Sequence, residues 1–249
     1  MAFADHFSEK SDAYARSRPT YPDALYAFIA GAAPGTGRVW DCATGNGQAA
    51  AGLARHFAAV EATDASAEQI RNAAAASNVR YSVQPAERTD FADGSFDAVC
   101  VAQALHWFDL DRFYAEVRRV LRPGGVLAAW GYDWMRTARG FDALFTEGIL
   151  AKLKDSWPAQ NRLLWNGYRT IAFPFERIEA PRFEMRLDWS FEQLEGYVRT
   201  WTGTRRYLER EGEHALDADW QALRRAWGGD SRREFVVPLH FLCGRHGSG

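Results

Sequence analysis

Val39-Trp40-Asp41-Cys42-Ala43-Thr44-Gly45-Asn46-Gly47 is the stretch whose reading decides the fold. A short β-favouring run ends on the acid Asp41, and the chain then turns at Gly45 and Gly47. Gln48 to Phe57 follows as an alanine-rich segment with Leu53 and Phe57 at i and i+4. This order predicts strand, glycine turn and helix. Glycine permits positive φ and lets a ligand approach the backbone, while the first N–H groups of a helix are donors without intrahelical partners. Such a turn cradles a nucleotide-like cofactor.

The surroundings of the turn select the cofactor. Gly45-Asn46-Gly47-Gln48-Ala49-Ala50 fits the dinucleotide pattern G-x-G-x-x-A, and Asp64 follows Gly45 by nineteen residues, where a ribose-binding acid belongs. Asp41 separates the possibilities, because a carboxylate at the mouth of the turn repels a pyrophosphate held at that helix N-terminus. A ligand with a cationic amino-acid end is attracted instead. S-adenosylmethionine has an adenosine for Asp64, no phosphate, and both an ammonium and a sulfonium charge.

Asp41-x-Ala43-x-Gly45-x-Gly47, Asp64 closing a second strand, and Leu121-Arg122-Pro123-Gly124-Gly125 before a further strand together resemble a class I S-adenosylmethionine-dependent methyltransferase, over residues 36 to 132. Tyr14 with Arg18-Pro19-x-Tyr21-Pro22, and Gln103-Ala104-Leu105-His106-Trp107-Phe108, are similar to the small-molecule branch that includes trans-aconitate methyltransferase-like proteins. The resemblance implies an α/β fold, a Rossmann-like three-layer sandwich. Its sheet is mostly parallel and seven-stranded, with an antiparallel strand 7 and a helical insertion after strand 5. The implied cofactor is S-adenosyl-L-methionine. Its implied contacts are Tyr14 and Arg18 at the methionyl carboxylate, then Asp41, Ala43, Thr44, Gly45 and Gly47 at the turn. Asp64 and Ala65 would stand at the ribose, Ala86 and Glu87 at the adenine, and Gln103 on the same edge. Two departures stand out. The family usually has glycine where Ala43 stands, and the added methyl either weakens binding or is accommodated. Pro85 replaces a frequent polar partner of the adenine amino group.

The chain has 249 residues and 47% hydrophobic content, enough for one sizeable core, and a single methyltransferase domain over 1–249 is expected. Its expected parts are an N-terminal helical lid over 1–35, a cofactor-binding core over 36–131, a helical cap over 132–180, and C-terminal strands and helices over 181–249. Net charge is −2 and the sequence pI is near 6.3, so there is no global basic field and nucleic acid is not an expected partner. Cys42, Cys100 and Cys243 lie singly in apolar runs and imply neither zinc nor disulfides, so no metal is expected. Met1 to Lys10 lacks an apolar core of signal-peptide length, and no run reaches about 18 consecutive apolar residues. A cytoplasmic protein without a membrane partner is expected, and its oligomeric state is left open.

Pro19 and Pro22 divide the N-terminal segment into short helices over Asp5 to Ala15 and Pro22 to Ala32. Ser66-x-x-Gln69 caps a helix running to Ser77-Asn78, and Val79 to Gln84 is a third strand. Phe96 to Ala102 reads as a strand buried on both faces and Val126 to Gly131 as the fifth strand. The helix between them, Asp111 to Leu121, carries Arg118, Arg119 and Arg122 on what reads as a solvated face. Phe141 to Leu153 and Ala159 to Ile171 read as helices of the insertion. Phe183 to Trp189 alternates as a sixth strand, and Phe235 to Cys243 as a seventh, although Pro238 cannot donate to an interior ladder.

Methyl transfer needs alignment and exclusion of water, and positioning of this kind accounts for about 7 to 11 kcal/mol of barrier. The expected partner is a small-molecule methyl acceptor. A carboxylate requires no base, whereas a phenol or hydroxyl benefits from one, and His106 is the histidine that the sequence places at the reacting edge. The plain alternative is a packed structural histidine. Trp107, Trp134, Arg205 and Arg206 are candidate substrate contacts, against the plain readings of core for the tryptophans and solvated charge for the arginines. Two further functions stay open: a nicotinamide-dependent oxidoreductase on the same turn, and a methyltransferase-like binding protein with little or no turnover.

Overall fold

β-Branched and aromatic residues in Val39-Trp40, Val60 and Phe96 to Val101 favour extended chain, and these runs form the middle of a parallel sheet in the computed structural model, which describes residues 19–229 and 231–247. The strands are β1 (Arg38–Cys42), β2 (Ala59–Asp64), β3 (Val79–Val83), β4 (Phe96–Ala102), β5 (Leu121–Gly131), β6 (Glu176–Arg177), β7 (Glu184–Trp189), β8 (Arg233–Pro238) and β9 (His240–Arg245). Seven of them form one sheet in the order β3-β2-β1-β4-β5-β9-β6, with β9 antiparallel to both of its neighbours. The resemblance implied this mostly parallel seven-stranded sheet with one antiparallel member. Chain order runs outward from β1 to β3 on one side and from β4 to β5 on the other, so the connectivity reverses between β1 and β4. The crevice outside the carboxyl ends of strands at such a reversal is where ligands bind.

Helices α1 (Asp23–Ala32), α2 (Gln48–Leu53), α3 (Ala67–Arg71) and α4 (Leu110–Val120) connect or flank these strands. α4 buries Phe113, Val117 and Val120, which join Trp40, Val99 and Leu127 in the core. α3 starts where Ser66 predicts, with its hydroxyl accepting from Gln69 N–H at 3.4 Å. It ends at Arg71, well short of Ser77, because none of its residues is buried and no apolar face holds a longer helix.

Of the three arginines expected on a solvated face, Arg118 is exposed, whereas Arg119 and Arg122 are half-buried and paired. Arg119 donates to Glu116 at 2.6 and 2.9 Å, to Asp93 at 2.7 Å and to the Phe91 carbonyl at 2.6 Å. Arg122 donates at 2.7 Å to Asp97, which is fully buried at the start of β4 and also accepts from Arg38 N–H at 2.8 Å. These cations tie the α4-to-β5 turn to the opposite ends of the strands from the ligand crevice.

The chain folds as two compact units. The sheet unit comprises Tyr21–Asp133, Arg162–Glu184 and the chain from Pro238. The second comprises Trp134–Asn161 and Met185–Val237, so the stretch expected as one insertion over 132–180 is shared between them. In the second unit β7 and β8 form a two-stranded sheet. Helix Arg139–Phe145 passes through a π turn, Thr146–Leu150, into Ala151–Leu153, and helices Phe191–Arg199, Thr202–Glu211 and Asp217–Trp227 complete the unit. Ser190 and Gln193 close a capping box on Phe191–Arg199.

Two strand expectations need correction. The run Phe183 to Trp189 pairs with β8 and is not the sixth strand of the large sheet, a place taken by Glu176–Arg177. The run Phe235 to Cys243 is two strands, broken at Leu239 just after Pro238. Proline has no N–H to give a ladder, and the N–H of Leu239 goes to the Phe183 carbonyl at 2.9 Å.

Removing the Arg122 guanidinium leaves a buried carboxylate with one charge-assisted partner fewer. Arg122→Met is expected to lower stability by about 1 to 3 kcal/mol, limited by the part of Arg122 already in solvent and by the surviving Arg38 N–H. Urea unfolding of the two proteins measures the difference.

Candidate functional site

At the carboxyl end of β1 the chain adopts left-handed backbone at Ala43 (φ 55°), Gly45 (φ 58°) and Gly47 (φ 83°). Glycine takes this region freely, whereas a Cβ is disfavoured by about 1 to 2 kcal/mol. The family's usual glycine at position 43 thus has a conformational reason, and Ala43 occupies the position under strain. Gly47 is also steric, because a Cβ there would lie 2.3 Å from the Tyr81 hydroxyl oxygen. Asp64, at the end of β2, shapes the same loop: Oδ2 accepts from Gly45 N–H at 2.9 Å and Oδ1 from Ser66 N–H at 2.8 Å. Carboxylate oxygens have further lone pairs, so Asp64 can still accept from ribose hydroxyls. Ala65 beside it is exposed.

Asp41 is fully buried. Its Oδ2 accepts from the Thr44 hydroxyl at 2.5 Å, while Oδ1 has no hydrogen-bond partner among the described residues. Burial pushes its carboxyl pKa up to about 7, with the Thr44 hydroxyl and the Ala50 backbone N–H pulling partly the other way. A buried carboxyl oxygen with nothing donating to it is costly unless a ligand completes it.

The other sequence candidates divide. Tyr14 and Arg18 lie outside the described residues. Ala86 is buried, and Glu87 Oε1 accepts from Asp109 N–H at 3.2 Å beside a groove of about 920 Å³ that Pro85, Glu87 and Asp109 help to line. Gln103 has φ 57°, and both ends of its amide engage the Tyr132 backbone, donating at 3.3 Å and accepting at 3.2 Å. It clips the end of β4 to that of β5. His106 is buried in a 3₁₀ turn after β4, with Nδ1 3.3 Å from the Tyr168 hydroxyl, and burial pushes its pKa down to about 4. Its ring lies 4.7 Å between centroids from Trp107, which is 50% exposed.

Tyr168 is the site residue that the sequence reading missed. The expected helix over Ala159 to Ile171 spans only Asn161–Trp165. Gly167 N–H bonds the Leu164 carbonyl and Tyr168 N–H the Leu163 carbonyl, the paired bonds of a Schellman ending, with φ of 69° and 59° at the two residues. The dipeptide Asn166-Gly167 was the available signal. In the second unit Trp134 packs against Trp157 at 5.6 Å and Trp201 at 5.4 Å, and Arg205 and Arg206 are exposed on Thr202–Glu211.

A strand, a strained glycine-rich turn and a helix beside a switch point, with an acid at each of two strand ends, define a Rossmann-like domain built for an adenosine-bearing cofactor. The family profile described as a methyltransferase domain matches residues 40–129. A Dictyostelium discoideum protein provisionally named a methyltransferase is 31% identical over 237 residues, covering 92% of this chain and 90% of its own length. An uncharacterized methyltransferase of Mycobacterium tuberculosis is 39% identical over 123 residues, 49% of each chain. The solved structure of a provisionally assigned type II methyltransferase from Anaeromyxobacter dehalogenans has 39% identity and a TM-score of 0.87, covering 93% of this chain and 99% of that one. The chain belongs to the class I S-adenosylmethionine-dependent methyltransferases.

Ala43→Gly is expected to raise the stability of the ligand-free protein by about 1 kcal/mol, since relief of the left-handed Cβ outweighs the entropy glycine adds to the unfolded chain. Chemical denaturation reads this directly; an unchanged or lower midpoint would mean that the turn is not strained at Ala43.

Proposed function

We propose that this chain transfers a methyl group from S-adenosyl-L-methionine to a small-molecule acceptor, preferentially a carboxylate, free of nucleic acid and membrane in the cytoplasm. Asp41 carries this reading: a buried carboxyl with an open oxygen at a glycine turn suits an ammonium group and is hostile to a pyrophosphate. The residues present therefore fit the methionyl end of S-adenosylmethionine, and Asp64 fits its ribose. When bound, the cofactor supplies a methyl carbon already activated by its sulfonium. The chain's own residues have to bind, orient and exclude water. Asp41 holds the cationic end, and the backbone from Ala43 to Gly47 turns closely enough for the ligand to pass. Gln103 fixes the ends of β4 and β5, from which His106 and Trp107 emerge toward the crevice. Net charge of −2 and the absence, among the described residues, of a helix long and apolar enough to cross a membrane support an acceptor that is a small molecule.

A second reading, a methyltransferase-like protein that binds without efficient turnover, draws on Ala43, whose strained Cβ stands where the family usually has none. Release of S-adenosylhomocysteine against a panel of small carboxylates and phenols separates the two. A thermal-shift screen tests the cofactor, with S-adenosylhomocysteine expected to raise the apparent melting temperature and NAD and NADP expected to leave it unchanged. Stabilisation by a nicotinamide dinucleotide alone would overturn the proposal.

The raised pKa of Asp41 sets a pH signature. In the fold the carboxyl keeps its proton from about its ordinary 3.8 up to about 7, while the unfolded chain has lost it. The folded state binds more protons in that window, so this group's contribution to stability is present at low pH and declines as pH rises toward 7. Tyr26 and Tyr81 share its surroundings and are held neutral there, their own pKa values raised by burial and by Asp41, while the Asp64 charge pushes Asp41 in the same upward direction. A cationic ligand prefers the ionised form, so affinity for S-adenosylhomocysteine should fall by up to about tenfold per unit below pH 7. Calorimetric titrations between pH 5.5 and 8, on the approximate scale set by that shift, check this. Asp41→Asn should weaken binding and flatten the slope.

A further inference from the structure

The role of His106 follows from how its neighbours satisfy their hydrogen bonds. Tyr168 is fully buried, and His106 Nδ1, at 3.3 Å, is the partner of its hydroxyl. Were the imidazole proton on Nδ1, it would point at the phenolic oxygen and leave the phenol proton buried with no acceptor. Gln103 is no substitute, because the Tyr168 hydroxyl makes no hydrogen bond to it among the described residues, and its amide is turned to the Tyr132 backbone, accepting from the N–H and donating to the carbonyl. Orphaned buried donors are rarer in folded proteins than under-used acceptors, so the phenol proton belongs on the bond to Nδ1. The proton of the neutral imidazole then sits on Nε2, which has no partner among the described residues.

The backbone keeps the pair in place. Tyr168 is held at φ 59° by the Schellman bonds that end Asn161–Trp165. Gly131, at the end of β5, clears the way, since a Cβ there would lie 3.0 Å from the Tyr168 oxygen and 2.7 Å from Gln103 Oε1. His106 itself follows β4, whose neighbour in the sheet is β1, the strand that carries Asp41.

We propose that Tyr168 is a positioning residue that locks His106 in its Nε2–H tautomer, so that His106 presents a hydrogen-bond donor, and not a base, to the methyl acceptor. This rests on the methyltransferase function proposed above and narrows its acceptor class. A fixed N–H suits an oxyanion that enters with its charge already formed and loses no proton as the carbon–oxygen bond forms. The attacking oxygen supplies the electron pair, the sulfur leaves with the pair of the broken carbon–sulfur bond, and no proton changes hands. A neutral phenol or alcohol would have to surrender its proton to a nitrogen that is already protonated. The depressed pKa of His106 agrees, since burial keeps the ring neutral at pH 7.

Long-range proton–nitrogen NMR of the ligand-free, nitrogen-labelled protein tests the lock without any turnover, with the His106 signals assigned through His106→Gln. The expected spectrum has a pyridine-like Nδ1 and a pyrrole-like Nε2; a pyrrole-like Nδ1 overturns the proposal. Tyr168→Phe, checked for native folding, is expected to shift the ring toward the other tautomer, and an unchanged spectrum in the folded variant would reduce Tyr168 to packing. Turnover adds a second arm. His106→Gln keeps an N–H donor and should stay within about tenfold of the wild type with a carboxylate acceptor, whereas His106→Ala should lose about a hundredfold. Equal, severe losses in both would restore the base. If the lock is seen by NMR but S-adenosylhomocysteine neither binds nor forms, the methyltransferase function fails and the tautomer assignment stands.

Discussion

A carboxyl group buried without a full set of partners is the constraint on which the rest of the sheet unit depends. Asp41 sits on a strand paired on both sides, with Ala62 and Cys100 opposite it, so it cannot swing out to water without unravelling the middle of the sheet. One oxygen is served locally by Thr44, whose own N–H is anchored to the Thr63 carbonyl at 2.8 Å. The other finds no hydrogen-bond partner among the described residues. The left-handed residues that follow are the geometric corollary: the backbone has to leave the strand at once, and a bulkier or straighter exit would close the space that this oxygen faces.

Several residues that look like ligands are also framework. Asp64 braces the turn through two backbone N–H groups before any ribose arrives, Glu87 holds the Asp109 amide, and Gln103 spans two strand ends. Side chains already tied in this way lose little further freedom when a ligand binds, which favours affinity without additional contacts. Arg119 and Arg122 play the same part at the far ends of the strands, where they hold connections in place without facing the crevice.

The strand–turn–helix core was legible because its signals are local. Glycines mark positive φ, a continuous apolar run marks a strand covered on both faces, and Ser66 and Ser190 mark helix starts. Where the reading failed, the deciding information lay elsewhere in the chain. Alternation in Met185, Leu187 and Trp189 shows that one face is buried but not which sheet receives it, and the partner of that strand begins more than forty residues later. Glu116 is on the helical wheel with Arg119, but the pairs of Arg119 with Asp93 and of Arg122 with Asp97 reach residues that a wheel of Leu110–Val120 does not contain. Tyr168 is hidden for a different reason: the apolar pattern continues through Asn166-Gly167, although that dipeptide stops helices.

The break at Pro238 also bears on how the sequence can drift. Because side chains alternate with a period of two, one inserted or deleted residue inverts every inward and outward position of the strand it enters. A single uninterrupted strand from Phe235 to Cys243 would have transmitted such a slip along its whole length. Divided at the proline, β8 and β9 answer to separate ladders, and the Leu239 bond to Phe183 lies between them as a fixed point. Length changes on one side are thus insulated from the other, and the small sheet is free to diverge while the large one, with its cofactor cradle, keeps its alignment.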